Sequence, residues 1–144
     1  MGLKASLKIF VVDDDEFCLN WYKQHLFNLG YTSIEVFDNG TACLNNLIQQ
    51  PEVIFLDYGM DVLNGVEVLK KIKRFNPNIY VVFISGQEDV QTAVNALKYG
   101  AFDYIVKGTD ERKRIAQVLE KIHEVNELLQ KRNHGFKSKL FSFL

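Results

Sequence analysis

The sequence predicts an α/β fold, a doubly wound sheet of five parallel strands finished by a long C-terminal helix. Short β-rich runs alternate with helix-period segments along the chain, and each run is apolar almost without interruption. Strands that are apolar on both faces belong in a parallel sheet covered on both sides.

The first strand is Lys8-Ile9-Phe10-Val11-Val12, which ends in acids. Glu16 to Leu29 then places Leu19, Tyr22, Leu26 and Leu29 on one helical face before Gly30 ends the helix. Ser33 to Phe37 reads as strand two and Asp38-Asn39-Gly40 as a turn. Thr41 to Gln50 reads as a helix with Cys43, Leu44, Leu47 and Ile48 facing inward, closed by Pro51. Val53 to Leu56 is the third strand, ending at Asp57. A loop through Asn64-Gly65 leads to a helix over Val66 to Phe75, stopped by Asn76-Pro77. Ile79 to Ile84 is the fourth strand. Gly86 opens the way to a helix from Asp89 to Tyr99 with Val90, Ala93, Val94 and Leu97 as its apolar stripe, and Phe102 to Val106 is strand five. The last helix starts near Asp110 and runs to about Arg132. Right-handed crossovers restrict the connections, and five strands favour the flavodoxin-like order 2-1-3-4-5.

Composition narrows the function. At 144 residues the chain fits one domain, and 47% hydrophobic with 24% charged residues is the balance of a globular protein. A formal charge of -1 lacks the basic excess expected for direct nucleic-acid binding by this segment. The start resembles no signal peptide and no apolar run approaches the ~20 residues needed to span a bilayer. A cytoplasmic chain without membrane attachment is the expectation. Cys18 and Cys43 lack metal-ligand spacing and read as reduced, buried thiols.

The chemistry gathers at the carboxyl ends of the strands, where open parallel sheets bind ligands. Asp13, Asp14 and Asp15 follow strand one, Asp57 strand three, Ser85 strand four and Lys107 strand five. An acid at such a place often only caps the next helix, and Asp15 reads as that cap. Asp13, Asp14 and Asp57 together are harder to dismiss, because clustered carboxylates repel unless a cation intervenes. Mg²⁺, ahead of Ca²⁺ and with Mn²⁺ as its substitute, suits such oxygen ligands. An Asp57 oxygen would then be placed to attack phosphorus, with developing charge held by Lys107 and the Ser85 hydroxyl.

In this order, the segments VVDDDEF (11–17), FLDYGMDVLNG (55–65), VVFISG (81–86) and GAFDYIVKG (100–108) resemble the receiver domain of two-component response regulators, of the chemotaxis-regulator kind, from about Lys8 to Ile122. The resemblance implies that Asp57 is the phospho-acceptor and that Asp13, Asp14, Asp57 and the Gly59 carbonyl hold the metal. It gives Ser85 and Lys107 to the phosphoryl oxygens, makes Ser85 and Tyr104 a conformational switch, and makes Gln87 and Gly59 modulators of dephosphorylation. It also implies a histidine kinase or histidine phosphotransfer protein as donor, and a downstream protein effector.

Two positions depart from the family pattern. Asp61 and Gly108 stand where proline is usual. A cis bond costs ~2.5–4 kcal/mol at a non-proline residue, so the Lys107–Gly108 peptide is expected trans. Residues 7–124 read as the receiver domain and 125–144 as a helix extension with a basic and apolar tail, a linker, dimerisation segment or disordered end. Ile115, Val118, Ile122, Val125 and Leu129 recur at steps of three and four; the first three are expected to pack on the sheet, and the rest of the helix either docks within one monomer or pairs with a second copy or continues towards an effector. Two other readings compete: a receiver-like module that is never phosphorylated, and a phosphatase using Asp13 as nucleophile. A flavodoxin-type redox role is weaker, because acids replace the phosphate-cradling loop after strand one.

Overall fold

The computed structural model describes residues 7–60, 63–86, 90–108 and 110–141, with side chains to residue 133. Five strands, β1 (Ile9–Val12), β2 (Ile34–Phe37), β3 (Val53–Asp57), β4 (Tyr80–Ser85) and β5 (Asp103–Val106), form one sheet of order β2-β1-β3-β4-β5. All four pairings are parallel. The helices are α1 (Glu16–Asn28), α2 (Gly40–Asn45), α3 (Gly65–Phe75), α4 (Val90–Lys98) and α5 (Glu111–Phe141).

Register decides where the chemistry falls. Val12 lies opposite both Phe37 and Leu56, Asp57 opposite Ile84, and Ser85 opposite Val106. The residues that end β1, β3, β4 and β5 therefore share one rim. Strand order reverses between β1 and β3, so Asp13 and Asp57 flank the crevice that such a reversal opens.

Alternate side chains of the strands serve opposite faces. Phe10, Val12, Ile54, Leu56, Val81 and Phe83 join Cys43, Leu47, Val68, Leu69, Ile72 and Ala96 in one buried cluster. The Phe10 and Phe37 rings meet edge to face at 4.8 Å within it. Ile9, Val11, Val53, Phe55, Val82 and Ile84 are buried on the other parity, and α1 lies against β1 and β2 with Leu19, Tyr22 and Leu26 buried. Burying each such aliphatic side chain contributes ~1.5–3 kcal/mol before entropy is charged against it.

Polar caps start the helices on register. The Asp15 carboxylate accepts from the Phe17 and Cys18 amides at the head of α1, as its sequence position suggests. Asn39 accepts from the Ala42 amide at 2.8 Å. Asn64 accepts from the Glu67 amide while donating to the Glu67 carboxylate, a reciprocal cap on α3.

Three sequence expectations need correction. The helix expected over Thr41–Gln50 breaks into α2 and a 3₁₀ turn, Leu47–Gln49, leaving Ile48 82% exposed. Asn46 causes the break: its side chain donates to the Ala42 carbonyl at 2.7 Å and its own backbone leaves the helical region. The stripe of α4 faces outward, with Val90 75% exposed and Val94 and Leu97 also exposed, while Thr92 and Ala96 are buried. Ala96 joins the buried cluster that the sheet contributes to, so this helix turns small side chains inward and its larger apolar ones outward. Finally, α5 continues to Phe141, past Arg132. No proline interrupts it, and the ~1 kcal/mol cost of Gly135 relative to alanine does not end it.

Contacts divide the chain into two compact units, Met1–Arg112 and Lys113–Leu144. In the second, Ile115, Val118, Leu119 and Ile122 are buried, whereas Leu128 and Leu129 are exposed.

Gly65 matters to the rim because α3 begins directly beneath it. A Cβ there would stand 2.6 Å from the Phe83 ring, 2.9 Å from the Tyr58 Cα and 3.1 Å from the Asp57 carbonyl oxygen. Backbone cannot yield as a side-chain tip can. Gly65→Ala should lower unfolding free energy by about 1–3 kcal/mol, the cost of overpacking a filled interior, measured by urea denaturation at constant m-value.

Candidate functional site

Each acid and base of the site is aimed by the strand it terminates. Asp13 follows β1, its backbone amide bonded to the Phe37 carbonyl at 3.1 Å, and is 1% exposed. Its Oδ1 accepts from the Asp15 amide at 2.9 Å, and its Oδ2 lies 3.0 Å from the Lys107 ammonium. Asp57, the last residue of β3, is 8% exposed; its Oδ1 lies 3.4 Å from Lys107 Nζ and accepts from the Gly59 amide at 3.4 Å. One ammonium thus contacts two carboxylates from neighbouring strands. Asp14 is exposed, yet oxygens of Asp13, Asp14 and Asp57 all lie within 4.8 Å of one another. A cleft of about 270 Å³ opens at Asp14, between Asp38, Met60 and Leu63.

Lys107 is fixed at both ends, since its amide donates to the Ser85 carbonyl at 2.7 Å. Ser85 closes β4 and is buried at 2% exposure. Tyr104 is half-buried on β5; its ring stands 6.3 Å from Tyr58, which packs on Phe83 at 5.4 Å. The Lys107–Gly108 peptide is trans and Gly108 has φ +85°, a conformation open to glycine. Gln87 and Asp61 lie outside the described residues.

The electrostatics follow from burial. Asp57 is pushed above the usual carboxylate range by desolvation and then by the charge of Asp13; Lys107 and the Gly59 amide oppose this without cancelling it. For Lys107, burial alone would lower the value, but the hydrogen bond to Asp13 and the charges of Asp57 and Asp13 outweigh it and raise the net result. Two carboxylates sharing one ammonium remain one positive charge short. The donor set is all hard oxygen, the kind that suits a small divalent cation.

Sequence reading missed a second group of residues behind this rim. The Glu111 carboxylate accepts from the Tyr22 hydroxyl of α1 and, at 2.9 Å, from the Gly108 amide. Tyr22 reads in sequence only as part of an apolar stripe, and Glu111 only as the start of a helix. Gly108 was the available signal, because a glycine where proline is usual brings an amide that needs an acceptor. The cysteines are both free, with Cys43 buried as expected and Cys18 only half-buried; burial pushes Cys43 up to about 12.

Comparison with known proteins gives the family and the fold. A family model described as the response regulator receiver domain matches residues 9–131. The chain is 32% identical over 126 residues to the DNA-binding transcriptional regulator NtrC of Escherichia coli (strain K12), an alignment covering 87% of this chain and 27% of that protein. The chain therefore spans about a quarter of that relative's length. A response regulator receiver domain protein from Clostridium thermocellum superposes with TM-score 0.78 at 26% identity, covering 85% of this chain and 98% of that one. A chain of the CheX–CheY complex with BeF3 and Mg²⁺ from Borrelia burgdorferi superposes with TM-score 0.75 at 25% identity, covering 81% and 89%.

The raised Asp57 value sets a stability prediction. A carboxyl held above its unfolded value loses folded-state stability as pH rises from about 3.8 through the folded value, because ionisation is harder inside than in water. Near neutral pH with chelator present, Asp57→Asn should therefore melt above the wild type by a few degrees. The gap should close well below pH 3.8, where both side chains are uncharged. Thermal denaturation across that pH range in EDTA reads both parts.

Proposed function

This chain belongs to the response regulator receiver domain family of two-component signalling, and we propose that Asp57 is its phospho-acceptor. The contact of one ammonium, Lys107, with both Asp13 and Asp57 carries the reading. It supplies fixed positive charge beside a carboxylate that burial holds at a strand end, where phosphoryl transfer depends on placement and charge stabilisation.

Asp57 rather than Asp13 is the nucleophile. Both oxygens of Asp13 are engaged, by the Asp15 amide and by Lys107, and the residue is nearly inaccessible. That argues against the phosphatase alternative. In the transfer, an Asp57 oxygen forms a bond to phosphorus as the N–P bond of a phosphohistidine donor breaks; the imidazole leaves with the electron pair and takes up a proton. Lys107 holds one phosphoryl oxygen and the Ser85 hydroxyl another. Asp13, Asp14, Asp57 and the Gly59 carbonyl would hold Mg²⁺, or Mn²⁺ in its place, which when bound neutralises the acids and the transferring oxygens. The Borrelia chain superposed above comes from a complex with Mg²⁺ and BeF3, a stand-in for a phosphoryl group, which supports this assignment. The chain's own chemistry is limited to uptake and release of that group.

Ser85 and Tyr104 form the switch. Phosphorylation favours the state in which Ser85 turns to the phosphate and Tyr104 takes the vacated space; its ring adjoins Tyr58 and the core. Gly59 offers no side chain to orient water, so loss of the phosphoryl group depends on Gln87 or is slow. The donor is a histidine kinase or phosphotransfer protein and the target a protein effector. Residues 7–124 act as the receiver and 125–144 as the extension, whose exposed Leu128 and Leu129 suit pairing with a second copy. The near-zero net charge argues against direct nucleic-acid binding by this segment. Among the described residues no helix is long and apolar enough to cross a membrane, which fits work in the cytoplasm.

Acetyl phosphate with Mg²⁺ should label Asp57, located by mass spectrometry, and Lys107→Ala should slow labelling on the order of 100-fold. Label on Asp13 instead would transfer the assignment to the phosphatase reading; no label from any donor, a cognate kinase included, would favour an inert module. Saturating Mg²⁺ should raise the melting temperature of the wild type and raise that of Asp57→Asn less. Gln87→Ala should change the phosphorylated lifetime, and an unchanged lifetime would remove Gln87 from the account.

A further inference from the structure

The segment after β5 carries Lys107 but is conformationally loose by composition. Gly108 sits at φ +85° and Asp110 at φ +52°, so two residues within three adopt left-handed backbone. A glycine turn gives up more conformational freedom on ordering than a proline turn, and its geometry must be enforced by something outside it. The enforcing group is Glu111. One carboxylate oxygen accepts the Gly108 amide at 2.9 Å, and the other accepts the hydroxyl of Tyr22, a buried residue of α1.

Neighbouring contacts make the tie rigid. His25 of α1 contacts the Arg112 carbonyl at 3.1 Å, its ring stacks on Trp21 at 5.5 Å, and the Arg112 guanidinium lies 5.7 Å from the Trp21 ring. The partner helix is significant because α1 begins at the acidic loop: Asp15 caps it, and the Asp15 amide holds Asp13. The Lys107 turn is thereby referenced, through Glu111 and Tyr22, to the helix that fixes the acids Lys107 must meet.

We propose that Glu111, held by Tyr22, is a positioning residue for Lys107, locking the Gly108 turn so that the ammonium stays aimed at Asp13 and Asp57. The inference rests on the phospho-acceptor reading for its effect on rate, although the lock itself can be read without phosphate. Glutamine at 111 can still accept the Gly108 amide and donate to the Tyr22 oxygen, whereas alanine can do neither.

The test compares acetyl phosphate labelling of Asp57 in wild type, Glu111→Ala, Glu111→Gln and Tyr22→Phe, and in Lys107→Ala with and without Glu111→Ala. Hydrogen exchange of the Gly108 amide is followed by NMR in the full chain. Glu111→Ala should slow labelling about tenfold, the weight of one hydrogen bond to a charged group. Glu111→Gln should recover most of the rate, Tyr22→Phe should fall between, and Glu111→Ala should add nothing when Lys107 is already alanine. The Gly108 amide should exchange faster in Glu111→Ala. Wild-type labelling in Glu111→Ala, or an equal loss in both Lys107 backgrounds, would overturn the positioning role, since a merely structural residue acts whether or not Lys107 is present. Should the wild type take no label, the phospho-acceptor reading falls and the exchange rate alone decides: acceleration upholds the lock, and no change overturns it.

Discussion

The ammonium of Lys107 stands between two carboxylates that the sheet forces together. Asp13 and Asp57 end adjacent parallel strands in fixed register, so neither can retreat without slipping a ladder of buried residues. Burial penalises the charge on Asp57, Asp13 adds repulsion, and Lys107 relieves part of both. The relief is mutual, for the same two acids hold the lysine protonated despite its own desolvation. Two acids against one ammonium leave the site one positive charge short, a deficit that a divalent cation would fill in the proposed phosphoryl uptake.

The rest of the structure keeps this arrangement from relaxing. The aliphatic core sets the register, and the register sets the rim. Helix caps spend polar side chains on backbone amides near the acids, so the carboxylate of Asp15, next to Asp13 and Asp14 in the chain, is committed to α1. The tight entry of α3 at Gly65, against Tyr58 and Phe83, holds the chain just after Asp57 on the sheet. Strain or slack at any of these points would be felt as a change in distance among three oxygens and one nitrogen.

The strands, their order and the rim acids were legible in the sequence because each depends on a short, nearly continuous apolar run that ends abruptly in a charge. Periodicity alone could not tell which face of α4 was inward: Val90, Val94 and Leu97 form the more apolar stripe, yet the sheet accepts the smaller Thr92 and Ala96. Nor could it separate α2 from the 3₁₀ turn after it, a matter decided by one side-chain bond from Asn46. The Tyr22–Glu111 pair was illegible for a different reason. The residues are 89 positions apart, and a tyrosine in an apolar stripe declares its ring and conceals its hydroxyl.

Gly108 shows how one function can rest on different kinds of constraint. Proline limits a turn through its own ring, a local restriction already present in the unfolded chain. Glycine removes that restriction and returns an amide, which here finds Glu111 and, through it, α1. The constraint then exists only when the fold does, so its cost and its benefit both belong to the cooperative transition. The aim of Lys107 becomes sensitive to the packing of α1, where a ring-closed turn would have isolated it. In this chain the acidic loop, helix α1 and the lysine turn therefore respond as one unit, and a disturbance at any of the three reaches Asp57.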